Sequence, residues 1–330
     1  MPRSVGPSVR GSCVHGRYDR VPVDLHGKRF LVTGGSGFVG SHLVDRLVDA
    51  NAAEVVVFDK VLRPANVAEA AARGRVTSVE GDVTDVPALE RALDGVDGVF
   101  HMAVLPLGPT VEQPRLGLEV NVVGSFNVFE AAQAAGVAKV VFSSASSVYG
   151  DTDETMDETH PFGARTMYGA SKIAGEYFLR SFNDQYGLPY VTLRYMNVYG
   201  PRQEGGLVMA VARRILSGQP PKITCDGSQS FDFVHVGDVA GANVAAMASD
   251  VSAEEFNVGS GTEASAREIA EKLIEITGAA VEVEYDPSVR VLMKRRVGSN
   301  RKAKELLGWE AQIGLEDGLR STVDWIRAHG

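Results

Sequence analysis

The chain is predicted to be an α/β protein, a doubly wound parallel sheet with a smaller carboxyl-terminal lobe, and three observations predict it. Residues 30–40 read Phe-Leu-Val-Thr-Gly-Gly-Ser-Gly-Phe-Val-Gly: a short apolar run, glycines at 34, 37 and 40, then an apolar helical stretch. A second apolar run, Glu54–Asp59, closes on a carboxylate about twenty residues beyond Gly40. Further short runs rich in Val and Phe alternate with helical patterns, as strands joined by crossover helices do.

In chain order, strands are expected at Arg29–Thr33, 54–58, Val76–Glu80, Gly98–His101, 139–143 and 190–194. They are often apolar throughout, as strands covered on both faces should be. Helical patterns fill Phe38–Asp49, 116–135 and 167–185. Beyond Gly200 the elements shorten. Helices are expected there at 205–217, 237–248, 266–276 and 315–328, with strands at 223–225, 231–234 and Glu254–Val258. The chain thus divides into an extension over 1–27, a nucleotide-binding domain of the Rossmann kind over 28–200, and a mainly substrate-binding lobe over 201–330. The later segment near 231–260 is expected to return to the first domain. Ligands of such a sheet sit at the carboxyl ends of its strands, and a substrate would lie in the cleft beneath the lobe.

The glycine spacing carries a specific chemistry. Gly34 permits a tight turn out of the strand, Gly37 lets backbone approach a pyrophosphate, and Gly40 lets helix and strand pack closely. The phosphates would rest on the free amides and positive end of the new helix, so Phe38 and Val39 join the cofactor-binding residues. Asp59 stands where an acid grips an adenosine ribose, and a carboxylate there favours NAD over NADP because a 2'-phosphate would be repelled.

Composition agrees with a soluble enzyme. At 330 residues and 44% hydrophobic the chain can bury a full core. A formal net charge of −9 argues against broad binding to nucleic acid or to anionic membranes. Cys13 and Cys225 form neither a metal-ligand spacing nor a disulfide framework, so no metal is expected and a reducing cytoplasm fits. No apolar run is long enough to cross a membrane. The first 27 residues lack the apolar stretch of a signal peptide and read as a flexible extension.

A second constellation, Tyr168-Gly-Ala-Ser-Lys172, opens a helix. Four residues apart on a helix puts the phenol and the ammonium on one face. A nearby ammonium, and the positive nicotinamide of NAD, would favour the phenolate, which could then take a proton from an alcohol. The plain alternative is a surface helix pair worth a few tenths of a kcal/mol. The serine-rich run 140–150, Val-Val-Phe-Ser-Ser-Ala-Ser-Ser-Val-Tyr-Gly, favours the catalytic reading.

At this point the chain resembles the extended short-chain dehydrogenase/reductases, specifically the nucleotide-sugar 4-epimerases and their relatives. The resemblance runs from about Lys28 to the carboxyl end. It rests on the glycine run 33–40, Gly81-Asp-Val83, His101-Met-Ala103, Asn121-Val-Val-Gly124, Ser-Ser-Val-Tyr-Gly150 and Tyr168-x-x-x-Lys172. It continues through Leu193-Arg-Tyr-Met-Asn-Val-Tyr-Gly-Pro201, Asp226-Gly-Ser-Gln229, Asp232-Phe-Val-His-Val236 and Leu307-Gly-Trp309. The resemblance implies that Asp82 and Val83 flank adenine and that Met102, Ala103 and Val104 line the middle of the cofactor. It places Asn121, Ser143 and Ser144 with the cofactor, Lys172 on the nicotinamide ribose and Tyr195 near the nicotinamide. Asn197 would reach the diphosphate of a nucleotide sugar. A homodimer would form through helices 116–135 and 167–185.

Two positions depart from the pattern. The family usually carries Ser or Thr three residues before Val-Tyr-Gly, where this chain has Ala145. Alternate residues of an extended segment point the same way, so Ser147 is the expected substitute, with Ser146 or Ser144 as alternatives. The other is Phe231, where many relatives carry an arginine on the diphosphate; Arg295, Arg296 or Arg202 would supply that charge. Phe231 itself would stack on a base or sugar, or simply pack. Related 4,6-dehydratases place Asp-Glu before Val-Tyr-Gly and decarboxylases usually a Glu, whereas this chain has Ser146-Ser147. Epimerisation at C4 is therefore expected. The alternatives are a dehydratase, decarboxylase or reductase of the same fold, or a non-catalytic NAD-binding protein. His101 and His235 are expected to be structural, and His160 to sit in an acidic loop at the edge of the site.

Overall fold

The computed structural model describes residues 23–288 and 294–329. Most of the expected extension, residues 1–22, lies outside the described residues. Residues 23–27 join the folded body: Leu25 is buried against the core and the Gly27 amide donates to the Asn51 carbonyl at 3.0 Å.

The first half runs β1 (Arg29–Thr33), α1 (Phe38–Asp49), β2 (Glu54–Asp59), α2 (Ala68–Ala72), β3 (Val76–Glu80), α3 (Val86–Ala92) and β4 (Gly98–His101). Helices α4 (Leu107–Glu112), α5 (Pro114–Leu118) and α6 (Ser125–Ala135) then lead to β5 (Lys139–Ala145), α7 (Met167–Tyr186) and β6 (Tyr190–Tyr195). These strands pair in parallel in the order β3-β2-β1-β4-β5-β6. The expected helix over 116–135 is an α5–α6 run joined by a π-helical turn, Glu119–Gly124.

Alternation along β1 explains why it reads as solidly apolar. Phe30 and Val32 pack with Leu43, Leu47 and α-helical neighbours on one face, whereas Leu31 packs with Leu89, Phe129 and Val99 on the other. Both faces are therefore core, and deleting one such fully buried side chain to Ala costs about 2–5 kcal/mol.

The second half runs β7 (Asn197–Tyr199), α8 (Leu207–Leu216), β8 (Lys222–Thr224), β9 (Ser230–His235), α9 (Val236–Ala248) and β10 (Glu254–Val258). It ends in β11 (Glu263–Ser265), α10 (Ala266–Thr277), β12 (Glu284–Asp286), β13 (Arg295–Arg296), α11 (Arg301–Leu307) and α12 (Leu315–His329). At Met196 the chain leaves the large sheet, and β7 joins β9, β11 and β13 in a small one. Then β10 returns as the seventh, edge strand of the large sheet, parallel to β6. A separate apolar cluster of α8, α10, α12 and β9 gives the lobe its own core. Among the described residues no helix is long and apolar enough to cross a membrane.

Candidate active site

The glycine turn after β1 fits a dinucleotide. Gly34 adopts φ +66°, and a Cβ there would meet the Ala103 backbone at 2.9 Å. A Cβ on Gly40 would lie 2.2 Å from the Gly34 carbonyl oxygen, so helix and turn touch backbone to backbone. Gly37 caps α1 without a side-chain bond, and Phe38 and Val39 are the helix's first residues. That leaves the first amides of α1 free to meet an anion. Asp59 accepts from the Ser36 hydroxyl at 2.8 Å, which locks the end of β2 to the glycine turn.

Residues expected along the cofactor are brought to the same edge. The Met102 amide donates to the Thr33 carbonyl at 3.1 Å and the Ala103 amide to Thr33 Oγ1 at 3.2 Å. Val104 follows them in the loop after β4. Asn121, in the π-helical turn, closes on that loop: its Oδ1 accepts from the Leu105 amide at 2.7 Å and its Nδ2 donates to the Leu105 carbonyl. Val83 is buried and its carbonyl accepts from Asn127 at 3.1 Å, while Asp82 pairs with Lys60 at 2.8 Å.

Beyond the end of β5 opens a cavity of about 560 Å³, of a size that takes a drug-sized ligand. Tyr168, Ser146, Ser147, Asn197, Phe231 and Arg296 are among its walls. Thr166 caps α7 by accepting from the Gly169 amide at 3.0 Å. A Cβ on Gly169 would lie 2.6 Å from the Ser147 carbonyl oxygen, so only glycine lets the first turn of α7 ride on the serine turn. Lys172 is buried and donates from Nζ to the Ser143 carbonyl at 2.6 Å; its Nζ stands 5.8 Å from the centre of the Tyr168 ring. Tyr195 donates to Asn243 Oδ1 at 3.0 Å and also lines the cavity.

The serines separate by their partners. Strand β5 ends at Ala145 and a 3₁₀ turn, Ser146–Val148, follows, so strict alternation stops there. Ser146 and Ser147 both line the cavity with Ala145. Ser147 Oγ is buried and makes no hydrogen bond within the protein, whereas Ser144 Oγ is committed to Glu176 at 2.5 Å. Asn197 Nδ2 is likewise buried with no protein partner.

Of the three arginines, Arg296 is the one on the cavity wall. Arg295 turns to Glu263 at 2.9 Å and to the Asp153 carbonyl, and Arg202 pairs with Asp45 at 2.7 Å. Register explains the choice, because Arg296 pairs with Phe231 of β9 and Arg295 with Ser230. Phe231 meets Phe233 edge-on, with ring centres 6.2 Å apart.

Burial dominates the protonation of the central pair. It raises the Tyr168 phenol to about 12, with the Arg296 guanidinium opposing, and lowers the Lys172 ammonium to about 7, with Glu176 opposing. Proximity of the ammonium is thus not enough on its own to ionise the phenol. His101 lies between Thr33 Oγ1 (2.7 Å) and Ser125 Oγ (2.9 Å), and burial drops it to about 3, so it stays neutral. His235 accepts from the Gly237 amide at the start of α9. His160 packs edge-on against Tyr149 at 5.8 Å.

Together, the sheet order, glycine turn and Tyr168–Lys172 pair define a dinucleotide-dependent enzyme of the α/β class. The chain belongs to the NAD dependent epimerase/dehydratase family, whose model matches residues 30–259. It is similar to UDP-glucose 4-epimerase of Mycolicibacterium smegmatis, 36% identical over 91% of this chain and 98% of the relative. It also resembles the crystal structure of Thermus thermophilus UDP-glucose 4-epimerase in complex with NAD. That match has a TM-score of 0.83 and 36% identity, and covers 92% of this chain and 100% of that one. A UDP-N-acetyl-alpha-D-glucosaminuronate decarboxylase of Bacillus cytotoxicus is 30% identical over 91% of this chain and 98% of the relative. NAD is the cofactor of this family, and the glycine turn and Asp59 fit it.

Proposed function

We propose that this protein inverts C4 of a nucleotide-diphosphate sugar, of the UDP-glucose, UDP-N-acetylglucosamine or UDP-glucuronate type, through a transient 4-keto sugar. The observation that carries the reading is the turn Ser146–Val148: it presents two hydroxyls to the cavity beside Tyr168 and no carboxylate. Elimination chemistry calls for an acid and base at that turn. Asp151, the carboxylate among the described lining residues, instead accepts from the Lys294 amide at 3.0 Å.

In this reading the glycine turn, Asp59, Met102 to Val104 and Lys172 hold NAD. NAD held there would supply the acceptor and donor of the C4 hydride. Tyr168 takes the C4 hydroxyl proton and gives it back, and its phenolate is favoured once the nicotinamide charge joins Lys172 and Arg296. Ser147 Oγ, otherwise unpartnered, hydrogen-bonds the reacting oxygen and relays its proton to Tyr168. Asn197 and Arg296 grip the diphosphate while the 4-keto sugar turns over between the two hydride transfers.

The same surface supports a homodimer. Leu118, Val123, Phe126, Met167 and Tyr177 are exposed on the helical run 114–135 and on α7, which pack together through Phe126 and Phe178. Exposed apolar side chains on two packed helices favour such an interface.

Substrate deuterated at C4 tests the mechanism. The label is expected to remain at C4 of the inverted product; loss of label to water would contradict transfer and return of one hydride.

A further inference from the structure

Asn257 of β10 is fully buried and joins two segments of the cavity wall. Its Oδ1 accepts from the Tyr149 hydroxyl at 2.7 Å, and its Nδ2 donates to the Met156 carbonyl at 3.0 Å and to the Ser299 carbonyl at 3.3 Å. The first contact leads to the serine turn. Tyr149 follows Ser146–Val148, and its amide closes that turn on the Ser146 carbonyl at 3.1 Å. The other two contacts lead to Arg296. The Met156 amide donates to the Val297 carbonyl at 2.9 Å and the Ser299 amide to the Met156 carbonyl at 2.8 Å, which pins the segment just after Arg296. Neither Tyr149 nor Asn257 is among the described residues that line the cavity.

The orientation of the Asn257 amide is fixed by its neighbours. Arg194, its register partner on β6, donates from Nη1 to the Tyr149 hydroxyl at 2.8 Å and is itself held by Glu176 at 2.6 Å. A guanidinium only donates, so the phenolic proton goes to Asn257 Oδ1. Nδ2 then faces two carbonyls, which only accept, and both of its protons are used. An aspartate there would keep the shape but set an oxygen against those carbonyls, and the tie to the Arg296 segment would be lost.

We propose that Asn257 is a positioning residue for the active site: it ties the Ser146–Val148 turn, through Tyr149, to the segment that follows Arg296, and so fixes Ser147 and Arg296 relative to each other. The proposal rests on the reading above, in which those two side chains touch the sugar and its diphosphate. A displacement of about 1 Å can cost on the order of a hundredfold in rate, so a junction outside the cavity governs chemistry within it.

The two arms are cut separately. UDP alone, titrated by calorimetry into the full chain, reads the Arg296 arm without turnover. Asn257→Asp is expected to weaken UDP at least ~fivefold, and Tyr149→Phe by less than about twofold. In an Arg296→Met background, Asn257→Asp should add less than about twofold, because the guanidinium it positions is gone. Tyr149→Phe should instead lower kcat at least ~fivefold with KM within about twofold, and add little once Ser147 is alanine. A merely structural junction would lower the denaturation midpoints and leave UDP affinity and kcat of the folded variants unchanged. That outcome would overturn the proposal, as would an equal loss of UDP affinity with and without Arg296. If Asn257→Asp fails to fold, Asn257→Ser, which also lacks the two donors, is held to the same criteria. Wild type that binds UDP but inverts no sugar would count against the epimerase reading alone, and wild type that does not bind UDP would overturn both.

Discussion

Arg296 and Phe231 are register partners on the parallel strands β13 and β9, and both line the cavity beside Tyr168. A buried arginine is thus paired in register with an aromatic residue on the cavity wall, which Arg165 also lines. Arg296→Met is expected to raise KM for the nucleotide sugar at least ~tenfold, the scale of a lost charge-assisted hydrogen bond. Arg295→Ala should change KM by less than about threefold, since its partly exposed pair with Glu263 contributes little. Steady-state kinetics of both variants check this, and equal effects would contradict it.

Tyr168→Phe removes the final acceptor of the C4 hydroxyl proton. Turnover is expected to drop by roughly 10²–10⁴-fold. The purified variant should still release NAD on acid denaturation, because the glycine turn and Lys172 are untouched. Near wild-type turnover would remove Tyr168 from the mechanism.

Ser147 separates activity from stability. Its Oγ makes no hydrogen bond within the protein, so Ser147→Ala is expected to leave the urea midpoint unchanged or slightly raised. Its kcat should nonetheless fall about tenfold if the hydroxyl relays the proton. Ser144→Ala inverts the pattern: it strips a donor from the buried Glu176 carboxylate, a loss of about 1–3 kcal/mol in unfolding free energy.

Lys172 makes the stability of the cofactor-free protein depend on pH with a definite sign. Its folded value, about 7, lies below the ordinary 10.5, so between the two the unfolded chain binds more protons and stability rises with pH. Lys172→Met removes that slope. The stability of this variant relative to wild type should therefore be highest below about pH 7 and shrink towards about pH 10. Denaturant melts at several pH values measure it, and a constant difference would contradict a depressed lysine.

Phe126→Asp places a charge in the exposed apolar face of α6, beside Phe178. Light scattering is expected to show the mass of a dimer for wild type and of a monomer for the variant. A monomeric wild type would refute the proposed interface.

Much of this was legible in the sequence: β1 and β4, buried on both faces, appear at the bounds their apolar runs predict, and the edge strands β3 and β10 appear at their expected bounds too. The glycine turn and Tyr168–Lys172 were equally plain, being short-range spacings. What was hidden depends on long-range pairing. The choice of Arg296 over Arg295 comes from the register of a two-residue strand, too short to carry a period. That Ser146 and Ser147 both reach the cavity depends on where β5 gives way to a 3₁₀ turn. Burial, which sets the protonation of Tyr168 and Lys172, is a property of the packed site. The Glu176–Arg194 pair did leave a trace: an arginine inside the otherwise uncharged run Tyr190–Tyr195 implies a buried counter-charge.

The central claim is tested most directly by proton NMR of the purified protein with UDP-glucose, UDP-N-acetylglucosamine and UDP-glucuronate in turn, with no cofactor added. The expected result is the C4 epimer of at least one of them, formed by NAD that the protein carries with it. A pentose, a 4-keto-6-deoxy sugar, or no change in any of the three would contradict C4 inversion of these sugars.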